Sequence, residues 1–286
     1  MLTIVASMER ELSALNQSLG PGHGLEFRVI GIGPDRAAGE VNALFSTSAP
    51  LGHESPRGVL LLGFAGALSP DLHTGDLILS SAYHRQAGDA IPGQRPLQPT
   101  SFMTPNPGMR RLAENAAAIS GLAVSHGPSL TVDALVRNPV EKRSLHQGLA
   151  ATSVNPFTSV NMEDYAVAAV AARAGVAFLS ARVVLDTAEQ QLPGYLTGLT
   201  GSGLQAVVST GLRPWRIPGL LSLAGQMRRA QHTLCRFGLA FIKEFRECEE
   251  FTSGNPTWDP QHKDLQRQET PVSAQCSQEC SGAVTA

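Results

Sequence analysis

The sequence predicts an α/β fold, and three features lead there. Short apolar runs of strand length alternate with longer amphipathic segments along most of the chain. The run at 58–62 is apolar throughout, as expected of a strand buried on both faces. With 286 residues, 42% of them hydrophobic and only 16% charged, the chain can bury a sizeable core.

The elements follow in order. Residues 2–6 read as a strand and 9–19 as a helix that stops at Gly20-Pro21-Gly22. A second strand, 27–30, runs into Gly31-Ile32-Gly33-Pro34, and 35–45 is helical, with Ala37, Ala38, Val41 and Leu44 forming an apolar stripe. Gly63-Phe64-Ala65-Gly66 follows the strand 58–62 directly. A strand at 77–80 precedes a polar, Gly- and Pro-rich loop over 84–100. Residues 107–119 are helical, and short strands at 123–127 and 159–160 flank a connecting segment. An Ala-rich helix at 164–174 and a strand at 177–185 come next. The stretch 189–218, with Gly194, Gly198, Gly201, Gly203 and Gly211, has the length of a lid or binding loop.

The last helix, 217–245, gathers Leu220, Leu223, Met227, Leu234, Phe237, Phe241 and Phe245 near one face. Arg228, Arg229, His232, Arg236 and Lys243 lie elsewhere on it. From 249 the chain turns polar, and a disordered tail over 249–286 is expected after one domain spanning 1–246.

Composition narrows the function. The 22 basic and 24 acidic residues leave a net charge of −2, too little field to attract a polyanion, so nucleic acid is not an expected partner. No run approaches the roughly 20 apolar residues of a membrane span. The opening MLTIVASMEREL lacks the layout of a secretory signal, so a cytoplasmic protein is expected. Cys235, Cys248, Cys276 and Cys280 have no partner pair at zinc-site spacing, and the expectation is free thiols and no metal.

Ligands on open α/β sheets gather beyond the carboxyl ends of the strands. Four segments arrive there: Gly31-Ile32-Gly33, Gly63-Phe64-Ala65-Gly66, Asn161-Met162-Glu163-Asp164, and Asp186. Glycines at such points let backbone approach a ligand and offer N–H donors. The first segment is not a dinucleotide fingerprint, because Arg36 stands where the third glycine belongs, and there is no phosphate loop of the GxxxxGK[ST] kind. Glu11, Glu163 and Asp186 are acids at or near element ends. Taken singly, each would pass for a solvated or capping carboxylate.

Together and in order, the segments resemble a family. Over about 1–190 the chain is similar to the purine nucleoside phosphorylase and methylthioadenosine/adenosylhomocysteine nucleosidase superfamily. The resemblance is carried by Ser7-Met8-Glu9-Arg10-Glu11-Leu12, Gly31-Ile32-Gly33-Pro34 with Ala37-Ala38, and Gly63-Phe64-Ala65-Gly66-Ala67-Leu68 with Gly75-Asp76-Leu77-Ile78. Val160-Asn161-Met162-Glu163 and Arg182-Val183-Val184-Leu185-Asp186 complete it. It implies a three-layer α/β/α domain around a mixed, partly closed central sheet.

The resemblance also implies roles. Glu163 would hold the ribose hydroxyls, since a carboxylate accepts from two vicinal O–H groups. Met162 would lie against the sugar or base, and Asp186 would be the acid toward purine N7. Glu11 would orient or deprotonate the attacking water. Ala65 and Gly66, beside Phe64, would line the sugar and base floor, with Gly33 offering a backbone donor. Leu135 and Val136 fall where the family presents backbone to adenine.

Departures from the pattern bear on chemistry. Asn161 replaces the first glutamate of the family's VEME, and Leu185 replaces a serine that supports the catalytic aspartate. Leu61 and Leu62 stand where hexameric phosphorylases place a phosphate-binding arginine, which favours water as nucleophile, with phosphate the alternative co-substrate and no other cofactor. For Arg36 and Arg182 the expectations are an outward helix arginine and a structural ion pair.

A narrower likeness, carried by 136–146 with Glu141-Lys142-Arg143 and by Arg213-Pro214-Trp215-Arg216, is to the hopanoid-associated members that remove adenine from adenosylhopane. It implies a nucleoside substrate with a bulky apolar 5′ group and a homo-oligomer; the last helix then reads either as packed on the domain or on a second subunit, or as a peripheral contact with a membrane. Phe64 and Leu185 would make the pocket more apolar. The alternatives are an ordinary salvage nucleosidase or phosphorylase, and a catalytically weak nucleoside-binding protein.

Overall fold

A computed structural model describes residues 1–21, 23–46, 56–85, 101–150, 156–192 and 217–248. Its elements are β1 (Leu2–Ala6), α1 (Glu9–Leu19), β2 (Glu26–Val29), α2 (Pro34–Ser46), β3 (Gly58–Ala67), β4 (Leu77–Arg85) and β5 (Ser101–Met103). They continue with α3 (Pro107–Ile119), β6 (Val124–Thr131), α4 (Pro139–Ala150), β7 (Ser159–Asn161), α5 (Asp164–Ala174), β8 (Ala177–Asp186) and α6 (Ile217–Glu247). Of the expected irregular stretches, residues 86–100 and 193–216 lie outside the described residues, as do the tail from 249 and its Cys276 and Cys280.

The eight strands form one mixed sheet in the order β2-β1-β3-β7-β6-β4-β5, with β8 pairing both β3 and β4. That double pairing closes β3, β7, β6, β4 and β8 into a ring, and β1 and β2 extend it on one side. The β1, β3 and β8 strands run parallel, so their carboxyl ends open on one side of the ring.

Alternation assigns each strand residue to a layer. Ile4, Leu60 and Leu62 pack with Leu12 and Leu15 of α1, Met109 and Leu112 of α3, and Leu234, Phe237 and Phe241 of α6. Val5, Val59 and Leu61 face the other way, onto Ala37 and Val41 of α2 and Val167, Val170 and Ala171 of α5. The three-layer α/β/α arrangement follows. A smaller cluster of Leu68, Leu130, Val132, Val136, Leu145, Phe157 and Val160 lies beyond the end of β3.

Several expectations need correction. Gly63-Phe64-Ala65-Gly66 does not follow a finished strand; it is part of β3, which continues to Ala67 because β8 pairs it through Gly66 and β7 takes over at Gly66 and Ala67. The expected polar loop starts later, since His84 and Arg85 belong to β4. The connecting segment between β6 and β7 contains a helix, α4. Its start is set by Asn138, whose Oδ1 accepts from the Glu141 N–H at 2.7 Å, with Pro139 in the first turn.

For the last helix, the reading in which it packs on the domain is the one observed. Its apolar side is not a free face for a membrane: Ala230, Leu234, Phe237, Phe241 and Phe245 are buried in the core shared with α1, α3 and the sheet. Among the described residues no helix is long and apolar enough to cross a membrane.

Because α6 completes the core, Phe241→Ala is expected to lower the unfolding free energy by about 3–5 kcal/mol, the range for deleting a buried phenylalanine. Urea denaturation checks this; an unchanged midpoint would mean that α6 is not part of the folded unit.

Candidate active site

The site is organised around a buried arginine. Arg182, 1% exposed on β8, donates through Nε to Asp164 Oδ1 at 2.8 Å and through Nη1 to the Phe64 carbonyl at 3.2 Å. Its Nη2 reaches Glu163 Oε2 at 3.1 Å and Asp164 Oδ1 at 2.7 Å. A guanidinium suits this position because its planar fork serves several acceptors at once. Gly63 leaves the room: a Cβ there would lie 2.3 Å from Arg182 Nη1 and 3.1 Å from Glu11 Oε1. The expected structural ion pair of Arg182 is therefore present, and its donors are engaged inside the protein.

Glu11 sits at the third position of α1. Its Oε2 accepts from the Met8 N–H at 2.8 Å, the glutamate half of a capping box. Its Oε1 accepts from the Phe64 N–H, also at 2.8 Å. Burial pushes its pKa up to about 7, against the opposing pull of Arg182 and these two N–H donors.

Glu163 stands between β7 and α5, with Oε1 accepting from the Gly33 N–H at 3.1 Å. One residue on, the fully buried Asp164 takes four side-chain partners: Ser129, Asn161, Ser180 and Arg182. Asn161 Oδ1 accepts from the N–H groups of Glu163 and Asp164 and from the Thr131 hydroxyl. Asn161 thus fixes the start of α5, and the junction carries two buried carboxylates, Glu163 and Asp164.

Asp186 ends β8, 4% exposed. The β3–β8 register shifts between Ala65 and Gly66, so that Ala65 lies opposite Val184 and Gly66 opposite Asp186, with Leu185 left over. The shift turns the carboxyl against Gly66, where a Cβ would lie 3.3 Å from Oδ2. Its ion-pair partner is Lys142 Nζ, from α4. Burial raises the Asp186 pKa, and Lys142 opposes that rise.

Hydrogen bonds, ion pairs or close packing therefore tie Glu11, Gly33, Phe64, Glu163 and Arg182 together, while Gly66 carries the same strand on to Asp186. Met162 packs on the apolar cluster that contains Val136. Ala65 is buried at the register shift, and Leu135 is 38% exposed. Arg36 is exposed and lies over Gly31, as an outward helix arginine. Leu61 and Leu62 are fully buried core residues. Sequence reasoning missed Asp164 and Lys142 as parts of the site. The Asn138-Pro139-Val140-Glu141 helix start was the available signal for Lys142. Among the described residues, no group of three or more His, Cys, Asp or Glu side chains is disposed to hold a metal ion.

A ring-closed mixed sheet between two helix layers, with buried carboxylates at the strand ends, defines a phosphorylase-type α/β protein. The chain belongs to the phosphorylase superfamily, whose family model matches residues 21–198. It is 27% identical over 158 residues to a 5′-methylthioadenosine/S-adenosylhomocysteine nucleosidase of Anoxybacillus flavithermus, covering 54% of this chain and 66% of that protein. It is 25% identical to the nucleosidase of the same name from Bacillus pumilus, covering 66% and 87% of the two chains. Among solved structures, the Helicobacter pylori 5′-methylthioadenosine/S-adenosylhomocysteine nucleosidase with butyl-thio-DADMe-Immucillin-A superimposes with a TM-score of 0.62 at 19% identity, over 85% of this chain and 97% of that one. Futalosine hydrolase of the same organism gives 0.62 at 17% identity, over 85% and 97%. These likenesses show the shared fold.

Because Asp164 balances Arg182 in a fully buried setting, Asp164→Ala is expected to cost about 3–5 kcal/mol of stability, as when one partner of a buried pair is removed. Chemical denaturation measures this. A loss below about 1 kcal/mol would show that Arg182 is held by its other partners.

Proposed function

We propose that the chain cleaves the N-glycosidic bond of an adenine nucleoside, with water as the nucleophile. The observation that carries this reading is the gathering of three buried carboxylic groups: Glu11 on the Phe64 N–H, Asp186 against Gly66, and Glu163 linked to the Phe64 carbonyl through Arg182. The names of the two relatives, both nucleosidases, support it.

The roles that the resemblance implies are compatible with this geometry. Glu163, steadied by Gly33 N–H and Arg182, keeps lone pairs free to accept from two ribose hydroxyls. Asp186, whose raised pKa lets it hold a proton, gives that proton to N7 as the C1′–N9 bond breaks and its electron pair leaves with the base. The ribosyl centre gains oxocarbenium character, and water adds to C1′ as Glu11 takes its proton. Met162 and Val136 supply the apolar wall for sugar or base. Hydrolysis is favoured over phosphorolysis because Arg182 is engaged internally, Arg36 points outward, and Leu61 and Leu62 lie in the core.

For the substrate we favour a bulky apolar 5′ group, as in adenosylhopane. Phe64 and Leu185 support it as apolar residues directly beside the site, Phe64 through its N–H to Glu11 and Leu185 next to Asp186. A homo-oligomer with peripheral membrane contact belongs to the same reading. Any such contact would involve the exposed Arg228 and Arg229, which with His232 and Asp76 line an open concavity of about 450 Å3. The salvage reading, with methylthioadenosine as substrate, remains the alternative.

Chromatography of free adenine tests both. Release from adenosylhopane in detergent and little from methylthioadenosine is expected, without need of phosphate. Efficient release from methylthioadenosine would move the protein to salvage, and release from neither would overturn the enzymatic reading. Asp186→Asn is expected to lower kcat by roughly a thousandfold or more while nucleoside binding survives. A variant within tenfold of the parent would remove Asp186 from the chemistry.

The pH dependence has a definite sign. Glu11 acts as a base only when ionised, and its pKa is raised to about 7, so it is largely protonated at pH 5. The value of kcat/KM should climb about tenfold per pH unit below neutrality as Glu11 ionises, and fall on an alkaline limb where Asp186 loses its proton. A profile flat from pH 5 to 8 would exclude Glu11 as the base.

A further inference from the structure

Lys142 is fully buried, an unusual place for a lysine. It stands on α4, in the first turns after the Asn138 cap, and α4 is seated by Leu145 in the apolar cluster beyond β3. From there its ammonium has two partners at the end of β8: Asp186 Oδ2 and the Thr187 carbonyl, the latter at 2.6 Å. Leu185, directly before Asp186, has no hydroxyl to offer, and the register shift leaves it packed on the core. The support that the neighbouring residue cannot give comes from a helix 44 positions away in the chain.

We propose that Lys142 is the positioning residue for the acid, holding one oxygen of Asp186 and stabilising the carboxylate that remains once its proton has passed to the leaving base. This rests on the reading of Asp186 as the proton donor. In the acid form that reacts, the pair is an ammonium beside a neutral carboxyl; once the proton has passed to the base it is an ammonium beside a carboxylate, so attraction grows along the reaction. A fixed cation in a dry site acts on the transition state in this way without reorganising. Among the described residues, Lys142 is the charged side chain that bears on Asp186; β3 presents Gly66 to it, and β8 its own backbone.

The test uses the full chain with Lys142→Met, which keeps volume without charge, Lys142→Gln, and Lys142→Arg, which restores charge. Adenine release from whichever nucleoside the parent accepts is followed across pH, with thermal melting to verify folding. For Lys142→Met and Lys142→Gln, kcat should fall about a hundredfold with KM within threefold. The alkaline limb should move up by about a unit, because losing the cation raises the pH at which Asp186 ionises. Lys142→Arg should recover about a tenfold share and remain about tenfold below the parent, because its longer planar head places the charge differently. Variants within threefold of the parent, or a loss of kcat with the alkaline limb unmoved, would overturn the proposal.

A second readout needs no turnover. Carbon-13 NMR titration of the Asp186 carboxyl, assigned by its absence in Asp186→Asn, should shift upward in Lys142→Met and Lys142→Gln, or downward toward the parent in Lys142→Arg. An unmoved titration overturns the proposal even if the parent releases no adenine, an outcome that by itself counts only against the nucleosidase reading. Should the neutral variants not fold, Lys142→Arg decides: a charge in the wrong position must still alter kcat and the titration, and parent-like values in both would overturn the role.

Discussion

One guanidinium faces three buried carboxylic groups, and the site depends on how that imbalance is resolved. Arg182 bonds directly to Glu163 and Asp164 and lies beside Glu11. Two carboxylates already exceed its charge. Asp164 is compensated by three neutral donors in addition, and Glu163 by a backbone N–H. The surplus falls on Glu11, which burial alone would push toward neutrality. A base poised near neutral pH thus arises from the same arrangement that holds the sugar-binding carboxylate in place.

The closed ring makes this arrangement possible. Asp164's partners come from β6, β7 and β8, strands that are distant in sequence and meet because β8 pairs with both β3 and β4. Gly63 and Gly66 keep side chains off β3 at two points, so that Arg182 and Asp186 can each approach its backbone. The carboxylates therefore share one strand end without sharing an element. Rigid strands and short helix starts fix them to a precision that loops would not provide.

Much of this was legible in the residues. The strand at Leu2–Ala6 and the helices Glu9–Leu19, Pro107–Ile119 and Asp164–Ala174 have the predicted bounds, because each has a clear period and a marked start or stop. The β3 strand was cut short because Gly63 and Gly66 read as breakers, whereas pairing on both sides carries a glycine-bearing strand onward. The three-residue β5 is too short to show a period. Glu11, Glu163 and Asp186 stood out as acids at element ends. Asp164 did not, since its importance lies in partners from three other strands, and Lys142 did not, since α4 carries only a weak apolar stripe and a buried lysine leaves no mark on a local pattern.

The central claim is that Glu11, Glu163 and Asp186 enclose one nucleoside. A crystal structure of the Asp186→Asn variant soaked with a 5′-substituted adenine nucleoside tests it most directly. The account predicts the ribose hydroxyls on Glu163, the purine N7 at position 186, and an ordered water beside Glu11. A nucleoside seated instead in the open concavity between Asp76, Arg228, Arg229 and His232 would contradict it.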